Sequence, residues 1–159
     1  MLAISTALFG LEELSFALIE QLGSFEHLDL PRLNKLTIEA CSEIKVENSH
    51  FPNLKELKIQ SLEWKNVKKL VESCSKVEVI TIRAVDGFEL SHYPYPQSIV
   101  ELNIDSKTLA LSVVNSTIPC LQAFSQLKTI VVIGMPDAML RRAIESFPTN
   151  IKIKIVKFI

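Results

Sequence analysis

One short pattern recurs along this chain and constrains its fold more than any other feature. It is Leu-x-x-Leu-x-Ile, with other aliphatic residues at each place, and five copies match it: Leu33, Leu36, Ile38; Leu54, Leu57, Ile59; Val77, Ile80, Ile82; Ile99, Leu102, Ile104; Leu127, Ile130, Val132. Successive copies begin 21, 23, 22 and 28 residues apart. A degenerate sixth copy is Asn150, Ile153, Ile155. Such a period indicates one supersecondary unit repeated along the chain.

The second half of each copy alternates apolar and polar residues, as in Leu57-Lys58-Ile59. This period predicts a short strand with one face inward, and the residues that follow must return the chain to the next strand. In residues 61–75 and 136–147 the apolar side chains recur at helical spacing, which predicts a helix in each return. The apolar residues are Trp64, Val67, Leu70, Val71, Cys74 and Met139, Leu140, Ala143, Ile144, Phe147.

The amino-terminal stretch fits two structures. Leu11, Leu14, Leu18 and Leu22 lie on one helical face that Gly23 would end, whereas Leu11, Leu14 and Phe16 fit a first copy of the repeat, 22 residues before Leu33. We favour a helix over residues 12–22, with residues 1–6 as a preceding strand.

A strand and a partly helical return every two dozen residues resemble the leucine-rich repeat, and the resemblance covers nearly all of residues 1–159. It implies a single α/β domain: a right-handed solenoid of six to seven repeats, with a parallel sheet on the concave face and short helices and turns on the convex face. Whether this domain is complete or a piece of a longer array stays open. The family's usual Asn or Cys after the strand occurs once, as Cys41, so irregular turns are expected. Residues 28–36 and 71–80 also resemble repeats of eukaryotic F-box proteins.

Composition limits the classes of partner. Seventeen basic and eighteen acidic side chains give a net charge of −1, which lacks the basic excess that binding to a phosphate backbone requires. Three widely spaced cysteines favour reduced thiols and an intracellular protein, cytoplasmic or nuclear. Residues 108–127 carry no charge, but Asn115, Ser116 and Gln122 among them favour a buried repeat segment over a membrane span. No nucleic acid or membrane partner is expected.

The sequence carries no pattern that points to catalysis. The three histidines are scattered without metal-ligand spacing, and the four glycines never cluster into a phosphate-binding loop. The adjacent Glu12 and Glu13 fit the first turn of a helix better than an acid and base pair. We therefore expect no enzyme, no cofactor, no metal and no small-molecule substrate.

The residues between the repeat hydrophobes point outward from the sheet and form three columns across it. The columns are Lys35, Glu56, Val79, Glu101, Thr129, Lys152; Thr37, Lys58, Thr81, Asn103, Val131, Lys154; and Glu39, Gln60, Arg83, Asp105, Ile133, Val156. Opposite charges become neighbours, Lys35 beside Glu56 and Arg83 beside Asp105, and we expect such pairs to join adjacent strands.

These columns and one loop supply the candidate binding residues. Val131, Ile133 and Val156 form an apolar outward patch, and Tyr93 and Tyr95 lie in a loop stiffened by prolines. Arg83 and Asp105 complete the set. Two alternatives accompany it: the loop of residues 92–96 or another segment covers the patch, and the tyrosine rings rest on the adjacent repeat.

The function that this surface favours is non-catalytic binding of a protein partner, and the F-box resemblance implies substrate recognition for a ubiquitin ligase. The alternative is a structural or regulatory segment that packs against other domains of a larger sensor or scaffold protein.

Overall fold

Seven short strands form one parallel sheet. The computed structural model describes residues 9–17, 28–41, 49–115, 119–134, 136, 138–145 and 147–156. The strands are β1 (Glu13–Ala17), β2 (Lys35–Glu39), β3 (Glu56–Glu63), β4 (Val79–Asp86), β5 (Glu101–Asp105), β6 (Thr129–Ile133) and β7 (Lys152–Val156). They lie side by side in chain order, and each is parallel to the next. Every repeat therefore adds one strand to the growing edge.

The repeat hydrophobes stack across the sheet as the spacing predicts. The registers align Leu36, Leu57, Ile80, Leu102 and Ile130 on successive strands, and these side chains are 0–2% exposed. A second inward column, two residues further along each strand, is Ile38, Ile59, Ile82, Ile104 and Val132, at 0–1% exposure. Each aliphatic side chain is thus buried between the equivalent side chains of its neighbours, and burial of this kind contributes roughly 1.5–3 kcal/mol per side chain.

Among the described residues, four α-helices lie in the returns between strands: α1 (Trp64–Glu72), α2 (Ser106–Asn115), α3 (Pro119–Gln122) and α4 (Ala138–Glu145). The return between β4 and β5 contains two short 3-10 helices, Leu90–His92 and Pro96–Ser98. α1 and α4 confirm the two helices predicted from spacing. The 28-residue interval between β5 and β6 contains both α2 and α3, so the extra length is used by an additional helix. The buried side chains of the helices join those of the inward sheet face in one cluster, so the helices cover that face.

The prediction of a helix over residues 12–22 is wrong where the structure describes them. Residues 13–17 form β1, and Leu14 and Phe16 pair with Leu36 and Ile38 in the register of the repeat. The local pattern fits a period of 2 as well as 3.6, and lateral pairing with β2 decides between them because it continues both inward columns. Residues 1–6 and 18–22 lie outside the described residues.

One backbone pattern recurs where each strand begins. The residue directly before each of the strands β1 to β5 has a carbonyl oxygen that accepts hydrogen bonds from two backbone N–H groups of the next repeat, with N to O distances of 2.7–3.2 Å. The five acceptors are Glu12, Asn34, Lys55, Glu78 and Val100. This repeated pair of hydrogen bonds fixes the register between neighbouring strands at the point where the strands begin.

Directly after the third outward column, the chain takes the left-handed conformation in four repeats. Ala40, Ser61 and Ala84 have φ of 51°, 56° and 48°, and Gly134, at the same place in its repeat, has φ of 100°. Past this residue β3 and β4 continue to pair, with Leu62 opposite Val85. The left-handed residue is therefore a regular feature of these four repeats, and three of the four residues carry a Cβ and adopt this conformation at a cost.

This position makes opposite predictions for two substitutions. Ala84→Gly should raise the free energy of unfolding by about 0.5–1 kcal/mol, because relief of the left-handed strain of about 1–2 kcal/mol exceeds the added chain entropy of glycine. Gly134→Ala should lower it by about 1–3 kcal/mol, since its new methyl group would also lie 3.1 Å from the Ser106 Oγ. Urea denaturation measures both changes.

The control is Ala110→Gly, within α2, which should cost about 1 kcal/mol because glycine is unfavourable in a helix. Destabilisation of Ala84→Gly to the same extent as Ala110→Gly would contradict the left-handed assignment.

No helix in the described ranges is both long and apolar enough to cross a membrane.

Candidate functional site

The outward face of the sheet carries the three predicted columns. The registers place the column members on adjacent strands in the predicted order, and β1 adds Glu13, Ser15 and Ala17 at one end. The single pairing that the registers do not include is Arg83 with Asp105, because the β4–β5 ladder ends at Ile82 and Ile104. This face, opposite the helical layer, is the candidate site.

The half of the face on β2 and β3 is polar and paired within itself. Lys35 Nζ lies 3.5 Å from a carboxylate oxygen of Glu56, which confirms the predicted contact. Gln60 Nε2 donates to Glu39 Oε1 at 2.7 Å, and Lys58 Nζ lies 3.7 Å from Glu39 Oε2. Exposed pairs of this kind are worth only about 0–1 kcal/mol each, but a partner must desolvate them to bind here.

The half of the face on β6 and β7 is apolar where the strands end and carries Lys152 and Lys154 earlier on β7. Val131 and Ile133 are half-buried on β6, and Val156 is 44% exposed on β7, where it pairs in register with Ile133. We call these three residues the apolar patch. The patch itself contains no charged side chain, although Lys154 is the register partner of Val131, so a contact with the patch gains apolar burial and brings this lysine to its rim.

The sequence suggested that Tyr93 and Tyr95 in the loop between β4 and β5 contact a partner. In the structure neither tyrosine is fully exposed. Tyr93 is 4% exposed and stacks on Phe124 with ring centroids 6.3 Å apart, so it belongs to the core. Tyr95 is partly buried, and its hydroxyl donates to the Glu72 carbonyl oxygen at 2.6 Å, at the end of α1. The rings therefore rest on neighbouring repeats, as the alternative interpretation stated. Because its side chain is buried, Tyr93 is not available to a binding partner.

The two tyrosines should respond differently to truncation. Tyr93→Ala should lower the free energy of unfolding by about 3–5 kcal/mol, since it empties a buried ring position, whereas Tyr95→Ala should cost about 1–2 kcal/mol through one hydrogen bond and a partly buried ring. Chemical denaturation of the two variants beside the parent chain measures the difference. Equal, small losses would contradict the core position of Tyr93.

Asp105 has a structural role in addition to its place in the third outward column. Its carboxylate accepts hydrogen bonds from the Thr108 N–H at 2.9 Å and the Thr108 hydroxyl at 2.6 Å, and so caps α2. It also accepts the N–H of Ala84 at 2.8 Å, across the β4–β5 boundary. At the equivalent place the N–H groups of Ala40 and Gly134 donate to carbonyl oxygens of the next strand. The Asp105 side chain thus takes over a backbone contact at the point where its own strand turns into a helix.

Asp105→Ala should therefore lower the free energy of unfolding by about 1–3 kcal/mol, because two backbone N–H groups and a buried hydroxyl lose their acceptor. Asp105→Asn keeps an acceptor oxygen and should recover part of that loss. A matched exposed carboxylate, Asp86→Ala, is the control and should change stability by less than about 0.5 kcal/mol. Similar effects of Asp105→Ala and Asp86→Ala would contradict the capping role.

Among the described residues, the buried thiols lie in the core. Cys74 is fully buried and donates its S–H to the Leu70 carbonyl oxygen at 3.1 Å, and burial raises the pKa of this thiol to about 11. Burial likewise raises the pKa of the Tyr93 hydroxyl. Both groups stay protonated at neutral pH, which leaves Cys74 without the thiolate character of a nucleophile. No three His, Cys, Asp or Glu side chains in the described ranges lie close enough to hold a metal ion.

Two open grooves lie where β3 and β4 end, with volumes of about 440 and 320 Å³. Glu63 and Asp86, which are register partners, line both of them. Lys65 Nζ lies 2.5 Å from Glu63 Oε2, and this contact raises the pKa of Lys65. Glu63 therefore already has a cationic partner, and we place the candidate site on the outward face and not in these grooves.

No family model, curated protein or solved structure matches this chain.

Proposed function

We propose that this chain is a leucine-rich-repeat-type solenoid that binds a protein partner without catalysing a reaction. Support for the repeat type comes from the Leu-x-x-Leu-x-Ile pattern, one strand per repeat, and a partly helical return. Successive parallel strands joined through a helical layer are right-handed in nearly all proteins, so we assign this hand and place the sheet on the concave side. A repeat array of this kind offers an extended surface for recognition.

The observation that carries the binding proposal is the division of the outward face into two halves. The polar half around Glu39 satisfies its charges internally, and the apolar patch leaves Val156 at 44% exposure beside Ile133. Protein interfaces have depleted charge at their centre and a polar rim, and this face presents both elements. We therefore place the centre of the contact on the apolar patch and assign Arg83, in the same outward column as Ile133 and Val156, to its periphery.

A finer assignment rests on the F-box-like repeats of residues 28–36 and 71–80. It is substrate recognition for a ubiquitin ligase, in which the sheet face would hold the protein to be modified. The other candidate is a structural or regulatory segment, in which another domain of the same polypeptide covers the apolar patch. The patch itself supports either role, because both require an apolar surface beside a polar one.

Ile133→Asp should abolish partner binding and leave the fold intact, because it places a charge at the centre of the patch on a half-buried outward position. Thr37→Asp is the matched control, since Thr37 is likewise half-buried on the outward face of β2. Both variants and the parent chain are immobilised, exposed to extract from the native source, and compared by quantitative mass spectrometry.

The expected result is a set of proteins that the parent chain and Thr37→Asp retain and that Ile133→Asp loses at least tenfold. Circular dichroism confirms that all three chains are folded. Equal retention by the three chains, or no specific retention by the parent, would refute binding through the patch. A longer transcript whose additional domain protects Ile133 from solvent would favour the structural role.

A further inference from the structure

The lysines of the outward sheet face differ in their partners. Lys35 on β2 and Lys58 on β3 each form an ion pair with a carboxylate of a neighbouring strand, at 3.5 and 3.7 Å. Lys152 and Lys154 on β7 are exposed, and no carboxylate of the described residues forms an ion pair with either of them. The lysine charge that this face leaves without a counter-charge therefore lies on β7.

The two β7 lysines lie beside the apolar patch. In the first outward column Lys152 is the register partner of Thr129, and in the second Lys154 is the register partner of Val131. The third column holds the other two residues of the patch. The outward side chains of β7 are thus basic, basic and apolar in order, and each lies about 6.7 Å from the next along the strand.

The opposite border of the patch, on β5, is acidic, and its carboxylates already accept hydrogen bonds. Glu101 Oε1 accepts from Asn103 Nδ2 at 3.2 Å, and the Asp105 carboxylate accepts from the N–H and the hydroxyl of Thr108. β6, between the two borders, has no charged residue. A ligand on the patch therefore meets positive charge on one side and negative charge on the other, which draws its own carboxylates toward β7.

We propose that the partner contacts this face through an extended acidic segment that lies over β6 and β7. In an extended segment every second side chain points to the same side, with the spacing of the outward columns. Two successive side chains of this kind are Asp or Glu and bind Lys152 and Lys154, and the next is apolar and packs on Ile133 and Val156. This inference rests on the proposed partner-binding role and gives the chemistry of the partner.

The rest of the face disfavours a nucleic acid as the occupant. A phosphate backbone needs positive charge along its whole track, but Lys35 and Lys58 are neutralised by carboxylates, and Glu101 and Asp105 border the patch on β5. A protein segment matches both features of β7, because its carboxylates pair with the lysines and its apolar side chain is buried on the patch.

A display library of random linear peptides, selected on the immobilised full chain, tests the segment. The parent chain should enrich peptides that have Asp or Glu at two positions separated by one residue, with an apolar residue at the same spacing beyond them. The enriched peptides are then synthesised, and their affinities are measured by fluorescence anisotropy over a range of salt concentrations. Binding should weaken as salt rises, because the lysines are exposed.

Two double variants identify the lysines as the contact. Lys152→Glu with Lys154→Glu should weaken binding of the enriched peptides by about tenfold or more, and selection on this variant should enrich basic residues in place of acidic ones. Lys152→Gln with Lys154→Gln removes the charges without reversing them, so it should weaken binding and abolish the acidic preference.

The matched control is Lys69→Glu with Lys107→Glu, which changes the net charge equally at exposed positions on α1 and α2. It should bind the enriched peptides as the parent does. Circular dichroism of every variant distinguishes a lost contact from a lost fold.

Each result decides the proposal. Acidic enrichment on the parent that is lost with both lysine variants and with Ile133→Asp supports it. Enrichment without acidic residues, acidic peptides that bind the lysine variants equally well, or no enriched peptide would overturn it. Equal binding of a thymidine oligonucleotide would also overturn it, since the lysines would then be a general anion site.

The partner-binding role is decided separately by retention of proteins from the extract. Retention that depends on Ile133, together with any of the overturning results, would leave that role in place and remove only the acidic segment.

Discussion

The lateral stacking of aliphatic side chains between equivalent positions of neighbouring strands is the interaction on which this structure depends. Leu57 and Ile80 are covered laterally by the equivalent residues of the neighbouring strands and on the inward side by the helical layer. The carbonyls that precede the strands hold them in the register that makes this possible. Stability in such an array is approximately a sum of the intrinsic stabilities of the repeats and of nearest-neighbour contacts.

The strands and their registers could be predicted from the sequence because residues at the same place in successive repeats stack on one another across the sheet, so the spacing along the chain gives the pairing. Two helices were predictable for a similar reason, since the apolar stripes of α1 and α4 face the same core. The first strand was mispredicted because its leucines fit a helix equally well over a short window. Only the neighbouring strand, which the window does not contain, distinguishes the two.

The site was harder to predict than the fold. The outward columns followed from alternation, but Tyr93, between a histidine and a proline, has the sequence context of an exposed loop, and its stacking on Phe124 depends on a residue in a later repeat. For Asp105 a local signal was present, because Asp-x-x-Thr before an apolar run is a helix-capping pattern. Its third partner, the N–H of Ala84, could not be read from the chain because it lies across the sheet.

The interval between β5 and β6 shows where this architecture accepts additional chain. The described residues that follow β5 include α2 and α3, while the carbonyl of Val100 still accepts the two N–H groups at the start of the next strand. The length of the return therefore varies between repeats, while the three outward columns keep their register on the sheet. An array built this way can vary its helical layer through insertion, whereas its outward sheet face varies through substitution. The two faces are therefore open to different kinds of evolutionary change.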